Sequence, residues 1–383
     1  MKSSIHSRLK VIHFISGDLW AGAETMACNL LRRLKEYDDL DLSVVLLNEG
    51  RLAGELRAGG LAVHVIDESL HSFREILRET RRLIGSNTPD IIHSHRYKEN
   101  LLALLISGCS RGIRLVSTQH GLPEFHEKKP GITQRLITRT NFLALSRFFT
   151  TVAVSQDMRN ALIGRFGFRN DKVEVIHNGI ELPPYPSASG GKAGPFVIGS
   201  SGRLFPVKDY PLMVEIARTV AAGGPEDIRF ELAGNGPGMP ALQTLVQSHG
   251  LSAGFILKGH QDDMGSFYRG LDLYLNTSVH EGIPMTILEA LAHGLPVIAP
   301  AVGGIVEIID DRAEGFLIGS REPSDFAEKC LYLRNNPEKR MGMARAAREK
   351  AERCFSAEKM AEGYYRLYLR ETRKMVSNQV LSG

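Results

Sequence analysis

Residues 182–195 read LPPYPSASGGKAGP. Proline, glycine and serine crowd the stretch and no apolar residue recurs at a helical or strand period, so it reads as a linker. The same alternation runs on either side of it. Before it, short apolar runs expected to be strands fall at 9–15, 42–47, 62–66, 91–94, 114–118, 151–154 and 173–176. Amphipathic stretches separate them; in 24–34, Met26, Leu30, Leu31 and Leu34 share one helical face. After the linker, strands are expected at 196–200, 229–233, 255–259, 271–276 and 296–299, with helices such as 210–220 and 240–249 between them. Strand, helix, strand in regular order implies parallel pairing through crossover helices. The expected fold is therefore α/β, with two doubly wound domains at 1–182 and 196–355 joined by a linker at 183–195.

A last helical stretch, 356–383, can be capped by Ser356 and carries Met360, Tyr364 and Leu367 on one face. It is expected to pack back on the N-terminal domain. Two such Rossmann-like halves are expected to face a central cleft. In open parallel sheets ligands sit beyond the carboxyl ends of strands, so functional residues are sought there.

Composition narrows the function. The formal net charge of +4, from 47 basic and 43 acidic residues, is too small to argue for a nucleic-acid partner. Cys28, Cys109, Cys330 and Cys354 form no C-x-x-C pair, so reduced thiols are expected rather than a zinc ribbon or redox motif. The start, MKSSIHSRLK, is polar, and no apolar run approaches the roughly 18 residues a membrane span needs. The expected location is cytoplasmic, with peripheral contact at the inner face of the membrane as an option. That option rests on Lys128, Lys129, Arg135, Arg139 and Arg147, interspersed with Leu136, Ile137, Phe142, Leu143 and Phe148. Such a stretch can dock on anionic lipid, although a core helix with solvated cations is the preferred reading.

The segment 276–307, NTSVHEGIPMTILEALAHGLPVIAPAVGGIVE, carries the most chemistry. It opens after an expected strand. Gly282 permits close backbone approach to a ligand, Ile283 follows, and Pro284 suits a first helical turn. The free N–H groups near Met285 and Thr286 could then bind a diphosphate. Glu281 can accept hydrogen bonds from sugar hydroxyls, and Glu289, two turns on, can reach a ribose diol. Gly303 and Gly304 form a second close-approach loop.

E-G-I-P-M-T-I-L-E followed by A-L-A-H-G-L-P-V-I-A resembles the E-x7-E segment of retaining glycosyltransferases of the GT-B fold, more narrowly the group 1, family 4 type. The resemblance extends over nearly the whole chain. GSSGRLFPVKDY, 199–210, is similar to the family's G-R-L-x-x-x-K-G, which implies that Gly202, Arg203 and Lys208 hold the donor diphosphate; Asp209 stands where the family has glycine. Gly234 and Gly236 match its G-x-G-P loop near the base. GDLWAGAE, 17–24, resembles its G-G-A-E loop, with Ala21 in place of the first glycine and Gly22 expected to approach the donor phosphate. STQHG, 117–121, matches T-x-H-G, which implies that His120 sits beside the transferred sugar as a neutral imidazole. VIHNGIE, 175–181, resembles the strand end that closes the N-terminal domain, with Asn178 and Gly179 as turn residues and Glu181 where relatives carry aspartate.

The expectation is a retaining glycosyltransferase. It would move a sugar from a nucleotide-diphosphate donor, such as a UDP-sugar, to a glycan or lipid-linked acceptor in polysaccharide or lipopolysaccharide synthesis. His120, Glu281, Arg203 and Lys208 are the expected catalytic group. No cofactor or metal is expected, because fixed cations and helix N-termini can take over charge stabilisation. The alternatives are a sugar-nucleotide 2-epimerase, a catalytically dead sugar-nucleotide sensor, and a metal-dependent hydrolase using His93 and His95. The hydrolase would need further ligands and a closed barrel.

Overall fold

A computed structural model describes residues 8–17, 20–85, 88–108, 112–121, 132–184, 194–225 and 227–381, apart from the side chains of 132–138 and 374–381. The chain divides into two units, Met1–Gly179 with Ala357–Gly383, and Ile180–Ser356. Residues 185–193, most of the expected linker, lie outside the described residues, as do Cys109, Lys128 and Lys129.

The first unit is built on a sheet of seven strands: β1 Leu9–Ile15, β2 Leu40–Leu46, β3 Ala62–Val65, β4 Ile91–Ser94, β5 Arg114–Gln119, β6 Thr150–Ala153 and β7 Val173–Val175. Their order is β3-β2-β1-β4-β5-β6-β7, and every pairing is parallel. Buried parallel strands need apolar side chains on both faces. Accordingly Phe14, Val45, Ile92 and Leu115 join one core cluster, while Ile15, Val44 and Leu46 join a second with Leu31 and Leu52. The helix Gly22–Leu34 turns Met26, Leu30, Leu31 and Leu34 inward, all fully buried. Each such side chain contributes about 1.5–3 kcal/mol relative to exposure. The helix Ala357–Leu381 packs on Gly22–Leu34 and buries Met360, Tyr364, Leu367 and Tyr368.

The second unit repeats the plan with six parallel strands: β8 Phe196–Ser201, β9 Ile228–Ala233, β10 Phe255–Gly259, β11 Leu273–Leu275, β12 Val297–Pro300 and β13 Gly315–Ile318. Their order is β10-β9-β8-β11-β12-β13. Its core gathers Ile198, Met213, Val214, Ile216, Leu232, Leu273 and Ile298. Strand β13 goes beyond the sequence reading: GFLI is only four residues long, too short to show a period.

Both sheets reverse winding direction once, between β1 and β4 in the first unit and between β8 and β11 in the second. The carboxyl ends of these strand pairs are topological switch points, where backbones diverge and leave room for a ligand. Two open sheets also rule out the closed barrel that the hydrolase alternative required. Among the described residues, no helix is long and apolar enough to cross a membrane.

Candidate active site

In the second unit, β8 ends at Ser201 and runs into Gly202, Arg203 and, after a single 3-10 turn at Pro206–Lys208, Lys208. Strand β11 runs into Asn276–Glu281. Backbone and side chain bind these loops together. Val279 N–H donates to the Val207 carbonyl at 2.8 Å, and the Thr277 hydroxyl donates to the Lys208 carbonyl at 2.9 Å. The two expected site residues meet here: Lys208 Nζ lies 2.5 Å from Glu281 Oε1, and both side chains are mostly buried. Ser278 Oγ donates to the same oxygen at 2.7 Å. Glu281 Oε2 has no partner among the described residues and is free to accept from a ligand. Arg203 is exposed, lies against the Phe205 ring at 4.9 Å, and makes no ion pair among the described residues. Two cations on one loop, one of them mostly buried, are groups that can stabilise a departing diphosphate.

The local backbone explains several glycines. Gly234 has φ +140°, and a Cβ there would stand 1.9 Å from the Gly202 carbonyl oxygen; the two loops touch through their main chains. Gly303 has φ +51°, and a Cβ would stand 2.1 Å from the Glu281 carbonyl oxygen. Side chains at either place would push the Lys208 or the Glu281 loop away. Gly236 lies in the same turn as Gly234, against Leu204.

Asp209 stands where the family has glycine and adopts a glycine-like backbone. It occupies the left-handed region, φ 45° and ψ 51°, that the glycine would favour. Aspartate tolerates this region better than most residues, and its carboxylate pairs with Arg321. Arg321 also donates to the carbonyls of Thr277 (2.8 Å) and Ser278 (3.0 Å). It is thus a staple across both loops. Sequence reading missed it because it follows the unrecognised strand β13.

The helix Met285–Ala292 starts directly after Gly282, Ile283 and Pro284, with Pro284 at its N-cap. Ile287 and Leu288 donate back to the Pro284 carbonyl. The N–H groups of Met285 and Thr286 belong to the first turn and have no intrahelical acceptor. Glu289 on this helix accepts from the Tyr268 hydroxyl at 2.5 Å. Burial pushes its carboxyl up to about 7. The hydroxyls of Tyr268 and Tyr274 both reach Ser201 Oγ, at 2.9 and 3.2 Å, which ties Glu289 to the end of β8. Neither tyrosine showed a sequence signal beyond an aromatic in an apolar stretch.

In the first unit, Gly22 is the exposed first residue of Gly22–Leu34. Ala21, at the N-cap, is extended (φ −135°), a conformation open to any residue, so the missing glycine costs nothing there. Its N–H donates to Glu24 Oε2 at 3.1 Å, and Glu24 also pairs with Arg96. His120 follows β5. Its Nε2 is 3.1 Å from His95 Nδ1, while its buried Nδ1 has no hydrogen-bond partner among the described residues. Burial lowers the imidazole to about 3, so the ring is neutral. His93 is enclosed by Tyr368 and Thr118 at 2.6 and 2.8 Å. His13, His93 and His95 bring ligand atoms within 4.8 Å of one another. Yet all six of their ring nitrogens are engaged in hydrogen bonds to protein groups. The basic stretch considered for lipid docking falls largely outside the described residues or side chains; of it, Leu143 is exposed and Phe148 buried.

Comparison with known proteins bears on the family and the fold. Residues 20–182 match Glycosyltransferase Family 4 and residues 185–350 match Glycosyl transferases group 1, so the two together span most of the chain. The chain is 23% identical over 386 residues to the Escherichia coli UDP-Gal:alpha-D-GlcNAc-diphosphoundecaprenol alpha-1,3-galactosyltransferase, covering 96% of this chain and 98% of the relative. It is 26% identical over 343 residues to a D-inositol 3-phosphate glycosyltransferase of Salinispora arenicola, covering 81% of this chain and 75% of the relative. The crystal structure of Anabaena HepE in complex with UDP-glucose superimposes with a TM-score of 0.82 at 20% identity, covering 94% of this chain and 99% of that one; its likeness shows the GT-B fold. With both halves matched in family, fold and order, the chain belongs to the group 1, family 4 glycosyltransferases.

Proposed function

We propose that this glycosyltransferase takes a UDP-linked hexose and transfers it, with retention, to a hydroxyl of a glycan or lipid-linked acceptor, without a divalent metal. The observation that carries the reading is the Lys208–Glu281 contact at the β8/β11 switch point, beside the first turn of Met285–Ala292. In this reading Arg203, Lys208 and the first-turn N–H groups take the diphosphate, Glu281 the hexose hydroxyls and Glu289 the ribose. His120 addresses a hydroxyl of the sugar or the acceptor. The bond from the anomeric carbon to the β-phosphate oxygen breaks as the acceptor oxygen attacks on the same face. The acceptor proton passes to the departing phosphate, so no enzyme nucleophile is needed. The E. coli relative is named for a UDP-sugar and a lipid diphosphate acceptor, which supports a lipid-linked acceptor here; cell-surface polysaccharide or lipopolysaccharide assembly at the cytoplasmic face is part of the same proposal.

The test is donor turnover with a panel of UDP-sugars and acceptors. Lys208→Ala and Glu281→Ala should each lower kcat by about 100-fold or more, the scale of lost transition-state charge stabilisation. Their unfolding midpoints should stay near that of the parent. A chelator should leave the rate unchanged. Parental rates in either variant would remove the assignment, and loss of activity in chelator would remove the metal-free claim.

A further inference from the structure

The six hydrogen bonds around the buried histidines of the first unit form one unbranched chain. It runs from the Tyr364 hydroxyl to Thr118 Oγ1 (2.8 Å) and on to His93 Nε2 (2.8 Å). From His93 Nδ1 it reaches the Tyr368 hydroxyl (2.6 Å), and from there His13 Nε2 (3.2 Å). His13 Nδ1 meets His95 Nε2 (3.1 Å), and His95 Nδ1 meets His120 Nε2 (3.1 Å). The chain ends at His120 Nδ1, which is buried with no partner among the described residues. Its members come from β1, β4, β5, the turns just after β4 and β5, and the helix Ala357–Leu381.

Each member brings one hydrogen to the chain: three neutral hydroxyls and four imidazoles that burial keeps neutral. Seven hydrogens serve six bonds, so one hydrogen is left over. A hydroxyl oxygen can accept from both sides but an imidazole inside the chain cannot, so the spare hydrogen falls either on His120 Nδ1, with every bond pointing toward His120, or on one of the three hydroxyls. If every bond points toward His120, Tyr364 donates to Thr118, each imidazole in turn donates from Nδ1, and the spare hydrogen sits on His120 Nδ1. If the bonds next to His120 point away from it, the spare hydrogen is the hydroxyl hydrogen of Tyr364, Thr118 or Tyr368, enclosed on a fully buried side chain with no other acceptor among the described residues. That direction also leaves His120 Nδ1 as a bare, buried acceptor. The arrangement toward His120 leaves one unpartnered buried group, the Nδ1–H, whereas every other arrangement leaves two, so it is the favoured one.

We propose that this hydroxyl–imidazole chain fixes His120 in its Nδ1–H tautomer and presents that N–H as a hydrogen-bond donor to a ligand oxygen. His13, His93, His95, Thr118, Tyr364 and Tyr368 are positioning residues for it. The tautomer rests on the chain alone. Only the identity of the ligand oxygen, a sugar or acceptor hydroxyl, rests on the proposed function. The engagement of every nitrogen of His13, His93 and His95 also means that this cluster is not a metal site.

The test is long-range proton–nitrogen NMR of ligand-free protein labelled with nitrogen-15 histidine, with His120 assigned from His120→Asn. Parent protein should show His120 Nδ1 protonated and Nε2 bare. Tyr368→Phe cuts the chain and leaves a bare His13 nitrogen in the forward direction, so the two directions become nearly equal. His120 should then show both tautomers. Thr118→Val should do the same, and Thr118→Ser should restore the single form. In turnover, His120→Asn, whose amide can place an N–H near the Nδ1 position, should exceed His120→Gln by roughly two- to tenfold, the scale of one hydrogen bond. A bare Nδ1 in the parent, an unchanged single tautomer in Tyr368→Phe, or one equivalent of zinc co-purifying with the protein would overturn the proposal. A parent with the expected tautomer and no glycosyl transfer would instead fault the functional reading.

Discussion

Glu289 offers a quantitative test because its carboxyl is the acid that burial displaces most clearly in the candidate site. It titrates near 7 instead of the ordinary 4.5; burial is the cause, and the Tyr268 hydrogen bond only partly opposes it. In the unfolded chain the group titrates at its ordinary value. Below that value both states hold the proton and there is no effect. Between the two values the folded state keeps a proton that the unfolded state has released, so stability falls as pH rises and levels off above about 7. A gap of this size corresponds to about 3 kcal/mol at most. Glu289→Gln keeps the shape, retains an oxygen for Tyr268, and carries no charge. The stability of this variant minus that of the parent should therefore grow by about 3 kcal/mol from pH 4.5 to pH 7.5. Urea unfolding of both proteins across that range reads the difference and cancels every other titrating group. A pH-independent difference would refute the reasoning. The same carboxylate links to ligand binding. A ribose diol donates to the ionised form, so UDP affinity of the parent should rise about tenfold from pH 6 to pH 8, as the ionised fraction does. The Gln variant should show no such rise.

Two further outcomes follow from the backbone and from the histidine chain. Asp209→Gly relieves the left-handed strain while Asp209→Ala keeps it, and both lose Arg321; the glycine variant should be about 1 kcal/mol more stable in urea unfolding, and equal stabilities would contradict the strained geometry. His13, His93, His95 and His120 are all held below the ordinary imidazole value by burial, His13 and His120 to about 3. The unfolded chain takes up protons there first, so stability is present above about pH 6.5 and lost as pH falls below it, by up to about 5 kcal/mol per pH unit for four sites. A flat unfolding midpoint between pH 6.5 and 5 would show that these imidazoles are not neutral and buried.

Much of the plan was readable because it is carried by local periodicity. Short apolar runs separated by helical faces such as Met26, Leu30, Leu31 and Leu34 announce parallel strands joined by crossover helices. The site was partly readable for the same reason: Lys208, Glu281 and Glu289 lie in loops and a helix start that directly follow strands. Arg321 was not, since it depends on a four-residue strand with no detectable period. Asp209 looked like a departure from a glycine loop. Only its backbone angles, with Arg321 on its carboxylate, show that the loop shape is kept.

The histidines mark the boundary most clearly. Sequence alone placed His93, His95 and His120 just at or after strand ends, where a doubly wound sheet keeps its ligands. It left open whether two of them hold a metal, and it passed over His13 as one residue of a strand. Pairing of β1 with β4 sets His13 beside His93, and the last helix brings Tyr364 and Tyr368 to the same place from nearly the other end of the chain. Local pattern determines which faces are buried, because burial is decided residue by residue against solvent. Which polar groups then satisfy one another inside is a matter of register and docking, and only the folded chain decides that.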